Sequence, residues 1–202
     1  SRLRLYPNQF LDIALLQPPR PEQDQIVAYL RAQDAHIARF IKAKRDLIGL
    51  LTEQKLRIID HAVTRGLDAS VAFKPSGIEW LGEVPEHWEV SRLRHLVKEP
   101  IKNGVGESAQ HFREDWPRYV RITDIASPSS LKNIKKASLP PEIASQAPLK
   151  SGDVLFAAVG ATFGKSYLHT EIENPCCYAG FLVRISPNDR VIGQFLSNWA
   201  QS

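Results

Sequence analysis

The chain has 202 residues, 43% hydrophobic and 24% charged, a composition that fits a soluble globular protein of one or two domains. No apolar run is long enough for a membrane span, and the N-terminal SRLRLYPNQF lacks the apolar core of a signal peptide, so neither membrane nor export is expected. A net charge of +4 is too mild to imply nucleic acid by itself.

Residues 1–17 hold a short apolar run, Ile13 to Leu16, that reads as one strand before the rigid Pro18-Pro19 turn. They are too few to hold a core and read as the closing piece of a domain whose body lies elsewhere. From Pro21 to Arg65 the spacing predicts one long helix within a segment 18–66. Pro21 suits a first helical position, Glu22 and Asp24 put negative charge at the positive end of the helix dipole, and Gly66 suits a left-handed cap.

Leu30, Ile37, Leu51 and Ile58 recur at seven-residue spacing, with Lys44 interrupting the series. Phe40 and Leu47 share a second series with Ile26, and Ile41 and Ile48 widen the stripe. A helix of this length spans roughly 65 Å, more than one small domain can wrap, so Leu30, Ile37, Phe40, Ile41, Leu47, Ile48, Leu51 and Ile58 are expected to meet a partner helix. The plainer alternative is a helical hairpin broken at Gly49.

Residues 67–91 carry Pro75, Gly77, Gly82 and Pro85 and read as an ordered connector, anchored by Trp80 and Trp88. From residue 92 onward the pattern is mixed. Tyr119 to Ile122 alternates like a half-buried strand, Asp153 to Val159 and Phe181 to Ile185 read as buried strands, and Val191 to Ala200 resumes helical spacing. Strands between irregular loops, with helices at the ends, define an α+β fold. Between Arg92 and Lys136 ten basic residues stand against five acidic ones, a density that serves a solvated face as readily as a phosphate-binding surface.

Catalytic chemistry finds no positive signal. Gly160-Ala-Thr-Phe-Gly164-Lys165-Ser166 follows a strand as a phosphate-binding loop does, but it has one residue too few between its glycines. The competing reading is a sharp turn between two strands that leaves Thr162 and Lys165 exposed, where the lysine could touch a DNA phosphate. Asn174-Pro175 begins like an amino-methyltransferase tetrapeptide, but Cys176 and Cys177 replace its proline and aromatic. The six histidines share no ligand spacing, the adjacent cysteines suit neither a disulfide nor zinc, and no cofactor or metal is expected. Reduced thiols in the cytoplasm are the default.

Three blocks then carry a family resemblance. Pro18-Pro19, Pro21-Glu22-Gln23 and Ile26 lead into a long helix ending Val63-Thr64-Arg65-Gly66. The run Ser76-Gly77-Ile78-Glu79-Trp80-Leu81-Gly82-Glu83-Val84-Pro85-Glu86-His87-Trp88-Glu89-Val90 is the most specific. Leu149-Lys150-Ser151-Gly152-Asp153-Val154-Leu155 leads into the glycine turn. Together they resemble the DNA-specificity subunit of type I restriction–modification enzymes. The resemblance implies a long coiled-coil-forming spacer helix joined to a mixed-sheet DNA target-recognition domain, with 92–202 its opening portion. It also implies a non-catalytic subunit bound to double-stranded DNA, to methyltransferase (modification) subunits that hold S-adenosylmethionine, and to a restriction subunit. The spacer helices would pair antiparallel and set the distance between two half-sites.

On this reading Arg118, Arg121, Lys132, Lys135, Lys136, Lys165 and Thr162 are the candidate DNA contacts. The absence of methionine and an ending within helical spacing point to an excerpt rather than a half-length subunit completed by homodimerisation through the helix. The competing function is an assembly module that dimerises or docks through the helix without reading DNA.

Overall fold

The computed structural model describes residues 10–170 and 175–202, so residues 1–9 of the expected closing segment, and Asn174, lie outside the described residues. The chain divides into two compact units, residues 1–53 and 54–202.

Helix α1 (Arg20–Arg65) runs unbroken through Gly49, which overturns the hairpin alternative. Its 46 residues extend about 70 Å at the ordinary helical rise. The Pro19 carbonyl accepts from the amides of Glu22 and Gln23 at 3.0 and 3.1 Å, and Gln23 Nε2 donates to Pro18 O at 2.7 Å, so Pro21 sits second rather than first in the helix. The expected strand at Ile13 to Leu16 does not form. Among the described residues no strand pairs with it, and an isolated extended segment gains no ladder to hold it. Every one of the eight residues expected to pair helices is exposed, from 43% at Ile41 to 64% at Ile48. The stripe is uncovered among the described residues.

The second unit begins with the last turns of α1. Gly66 takes φ +79°, the left-handed cap expected of it, and a Cβ there would also lie 3.3 Å from the Trp88 ring. Two demands therefore fix glycine at this position. The connector is more regular than its glycines and prolines imply, because β1 (Phe73–Pro75) and β2 (Glu83–Pro85) form an antiparallel hairpin with Lys74 opposite Val84. Trp88 is half-buried as expected, whereas Trp80 is 73% exposed at the edge of a groove it lines with Leu81 and Trp88.

The body of the unit contains a four-stranded antiparallel sheet ordered β3 (Lys102–Asn103), β10 (Leu182–Ile185), β7 (Val154–Ala157), β8 (Ser166–Leu168). A parallel pair, β4 (Arg118–Val120) with β9 (Cys176–Tyr178), and a small hairpin of β5 (Ile125–Ser127) with β6 (Ser130–Leu131) complete the strands. Short helices α2 (Pro141–Ala144) and α3 (Gly193–Trp199) close the α+β arrangement. Val120, Ile125, Leu155, Tyr178 and Leu182 are fully buried and form the main core. Gly104 lets two backbones meet: a Cβ on it would stand 2.0 Å from the Tyr178 carbonyl oxygen.

The expected strand over Tyr119 to Ile122 stops at Val120. The Asp124 carboxylate accepts from the Arg121 amide at 2.9 Å and curls residues 122–124 into a 3-10 turn. The segment Asp153 to Val159 is likewise ordered as a strand only from Val154 to Ala157, because the glycine turn begins immediately after.

Candidate nucleic-acid interface

Strand β4 organises a cationic concavity of the second unit. On one edge it pairs with β9, and on the other Tyr119 N donates to Ala137 O at 2.7 Å while Leu139 N donates to Pro117 O at 3.2 Å. Tyr119 and Val120 point into the core, which leaves Arg118, half-buried at the strand start, to face outward. Arg118 Nη2 donates to Lys132 O at 2.8 Å and so ties down the base of the loop 132–136. Lys135, at the tip, adopts φ +49°, the left-handed region that side chains other than glycine rarely enter.

Arg118, Lys135 and Lys136 line one basin with Arg113, Trp116 and Asn133, enclosing about 890 Å³. Four cations stand there against two carboxylates, Glu114 and Asp115. Arg113 is held on several sides. Its Nε donates to Asp115 Oδ1 at 3.0 Å and its Nη2 to Asp115 Oδ2 at 2.6 Å, while its guanidinium carbon lies 4.6 Å from the Trp116 ring centroid. Its own amide donates to Ser138 Oγ at 2.8 Å, and His111 meets Trp116 edge-on at 5.3 Å. The hydrogen bonds from Arg113 hold the Asp115 carboxyl below the usual carboxylate range, and the same pairing raises the guanidinium. A shallow, partly aromatic basin with excess positive charge suits a polyanion that also presents flat, hydrogen-bonding groups.

The structure thus gathers only three of the seven expected contacts, Arg118, Lys135 and Lys136, in the basin. Lys132 is exposed at the start of the same loop, and its backbone joins the β5–β6 region through Lys132 N donating to Asp124 O at 2.7 Å. Thr162 is exposed on the turn between β7 and β8. The other two stand outside the basin. Arg121 pairs with the buried Asp124, its Nε donating to Oδ2 at 2.8 Å and its Nη2 to Oδ1 at 2.7 Å. Lys165 is half-buried instead of exposed, and its ammonium donates to Ile125 O at 2.6 Å.

The glycine turn also differs from a phosphate loop in kind. Gly164 N donates to Ala157 O, Lys165 N to Thr162 O and Phe163 N to Gly160 O, so these amides are consumed by the turn itself. A strand rather than a helix follows. The residues missed in the sequence are Arg113 and Trp116; the short run Arg113-Glu114-Asp115-Trp116 holds a cation, an anion and an aromatic platform within four positions and was the available signal.

The fold is similar to that of a solved type I restriction–modification specificity subunit. The HsdS subunit from Thermoanaerobacter tengcongensis superposes with a TM-score of 0.51 at 19% identity, over 91% of this chain and 41% of that one. A structure addressing complex assembly and conformational transition of the type I R-M system gives 0.50 at 19% identity, with the same coverage of 91% and 41%. In sequence, the chain is similar to the type I restriction enzyme MjaVIII specificity subunit of Methanocaldococcus jannaschii, 29% identical over 151 residues. That match takes in 73% of this chain and 33% of the relative, so the chain spans about a third of the length of the curated protein it resembles. No protein-family model matches the chain.

Proposed function

We propose that this chain is the DNA-reading part of a type I specificity subunit, recognising duplex sequence through the basin beside β4 and performing no chemistry itself. The observation that carries the reading is the convergence of Arg113, Arg118, Lys135 and Lys136 around Trp116, on a fold shared with HsdS. Methylation and cleavage then fall to modification and restriction subunits that dock on the same assembly, in the cytoplasm. Two buried thiols and the absence, among the described residues, of any helix long and apolar enough to cross a membrane fit that setting.

Helix α1 acts as the spacer in this reading. Its uncovered stripe takes an antiparallel mate, either a second spacer helix or another copy of this chain. A register centred near Lys42 sets Ile26 against Ile58 and Ile37 against Leu47 across the seam. Adding or removing one turn near Gly49 changes the spacing between half-sites and leaves their sequences alone.

The test is fluorescence anisotropy of the purified chain with labelled duplex across a salt series. Binding at low salt is expected, and Lys135→Ala with Lys136→Ala lowers the slope of log affinity against log salt by about two. No binding to any duplex at low salt would leave only the assembly-module reading, which the exposed helical stripe independently favours.

A further inference from the structure

Arginine presents two donor edges. The side edge, Nε with Nη2, is occupied in Arg113 by both oxygens of Asp115. The end edge, Nη1 with the second proton of Nη2, makes no hydrogen bond among the described residues and lies in the basin. The guanidinium carbon lies 4.6 Å from the Trp116 ring centroid, a cation–π contact that needs neither proton of the end edge. The backbone is fixed as well, through the Arg113 amide on Ser138 Oγ, and Ser138 is itself buried and bridged to both His111 and Arg118.

Arginine forks phosphate as well as base edges, so its charge alone does not assign it. Phosphate oxygens accept from many directions, and the exposed lysines at 135 and 136 already serve that need. Among the bases, a planar end edge held by a carboxylate beside an aromatic ring has a narrower complement. It matches two acceptors lying side by side in one plane, the O6 and N7 pattern that guanine alone shows in the major groove.

We propose that Arg113 is a specificity-determining residue that reads a guanine through its Nη1–Nη2 edge, with Asp115 and Trp116 as positioning residues that hold the fork. This rests on the proposed DNA-reading function and adds to it the base and the residue. Lys135 and Lys136 supply the sequence-independent contact; Arg113 supplies discrimination.

The experiment is selection from a duplex library with a randomised central window, run with the purified chain and with Arg113→Ala, Arg113→Lys, Asp115→Asn and the Lys135→Ala/Lys136→Ala pair. Anisotropy on selected and scrambled duplexes accompanies it. The unsubstituted chain is expected to enrich a motif with an invariant guanine. Arg113→Ala removes the preference at that one position, a loss of about tenfold or more in discrimination, and leaves the salt slope unchanged. Arg113→Lys keeps the charge and the fold but also loses the preference, since an ammonium cannot form the paired contact. Asp115→Asn weakens the preference partly, and the lysine pair lowers the salt slope without altering the motif. A fall of about one in the salt slope on Arg113→Ala with an unaltered motif would make it a phosphate contact and overturn the proposal. Duplex binding with no enriched motif would overturn it while leaving DNA contact standing. No binding at all would sink both this inference and the function beneath it.

Discussion

Arg184 donates to the carboxylate of Glu99 across 85 residues of chain, and through this pair the segment leading into β3 is locked to an inner strand of the sheet. Arg184 is buried on β10, where its Nη1 also donates to Pro148 O at 2.9 Å and lies 3.7 Å from Asp153 Oδ2. Asp153 in turn accepts from Lys150 N at 2.8 Å and from the Ser186 hydroxyl. A buried charge so placed is stable only while its partners remain. Asp153→Ala should therefore destabilise the unit by about 3 kcal/mol, read as a shift in the denaturant midpoint, because it removes one counter-charge and strands a serine hydroxyl.

Acid should loosen the same network. Hydrogen bonding from Lys150, then the charge of Arg184, holds the Glu99 carboxyl below the usual carboxylate range. A carboxyl depressed on folding contributes stability that is present above its unfolded value, about 4.3, and lost as pH falls through the folded one. Thermal melts between neutral pH and pH about 3 should show a fall that Glu99→Gln flattens. An equally steep fall in the variant would assign the acid sensitivity to other carboxylates.

Alkali should act through Cys177. Burial pushes its thiol from 9.0 up to about 12, with the neighbouring Cys176 adding to the shift. The raised group costs nothing below the unfolded value, and stability then declines as pH rises from about 9 toward the folded one, by roughly 1 kcal/mol per pH unit. Tyr119 and Tyr178, both raised by burial, add to the decline at higher pH. Cys177→Ala should reduce the slope between about pH 9 and 10, and native Cys177 should resist thiol-directed alkylation near neutral pH until denaturant is added.

Arg121 and Lys165 should behave as structural residues. Arg121→Ala leaves the buried Asp124 without its fork and should cost about 2 kcal/mol, discounted because the arginine is partly solvated. Neither Arg121→Ala nor Lys165→Ala should alter the salt slope of duplex binding under conditions where the chain remains folded. A slope reduced by about one in either variant would return that residue to the interface.

Two glycines offer opposite outcomes from the same substitution. Gly104→Ala drives a Cβ into the Tyr178 carbonyl and should cost at least about 3 kcal/mol, since backbone rather than a side chain must give way. Gly49→Ala meets nothing within 4 Å on an exposed helix surface and should raise helix stability by about 1 kcal/mol. Circular dichroism melts of the two variants check both directions.

What the sequence made legible was whatever depends on periodicity. The helix from residue 20 to 65, its left-handed end at Gly66 and the strand cores at 154–157 and 182–185 follow from local spacing. The site was only partly legible, because the fate of a cation depends on what the fold brings beside it. Lys135 and Lys136 stay in solvent, whereas Lys165 meets a carbonyl 40 positions away and Arg121 meets an aspartate that turns back on it. Arg113 was counted only as one of ten cations, because its hydrogen bonds to Asp115 and its contact with Trp116 depend on local geometry that residue counting does not weigh. Ile13 to Leu16 looked like a strand since apolar runs do, but pairing is a property of neighbours.

The unbroken α1 is also a screw. Each residue added to it advances the end by about 1.5 Å and turns it by roughly 100°, so length and facing cannot be changed independently. One added turn leaves the seam about 40° out of line; insertions of about seven residues restore it more closely, to within some 20°, and they lengthen the rod by roughly 10 Å. That distance matches about three base pairs of duplex, which themselves rotate the groove by roughly 100°. On the spacer reading proposed above, the half-sites move apart in notches, each one swinging the recognition unit to a new side of the DNA.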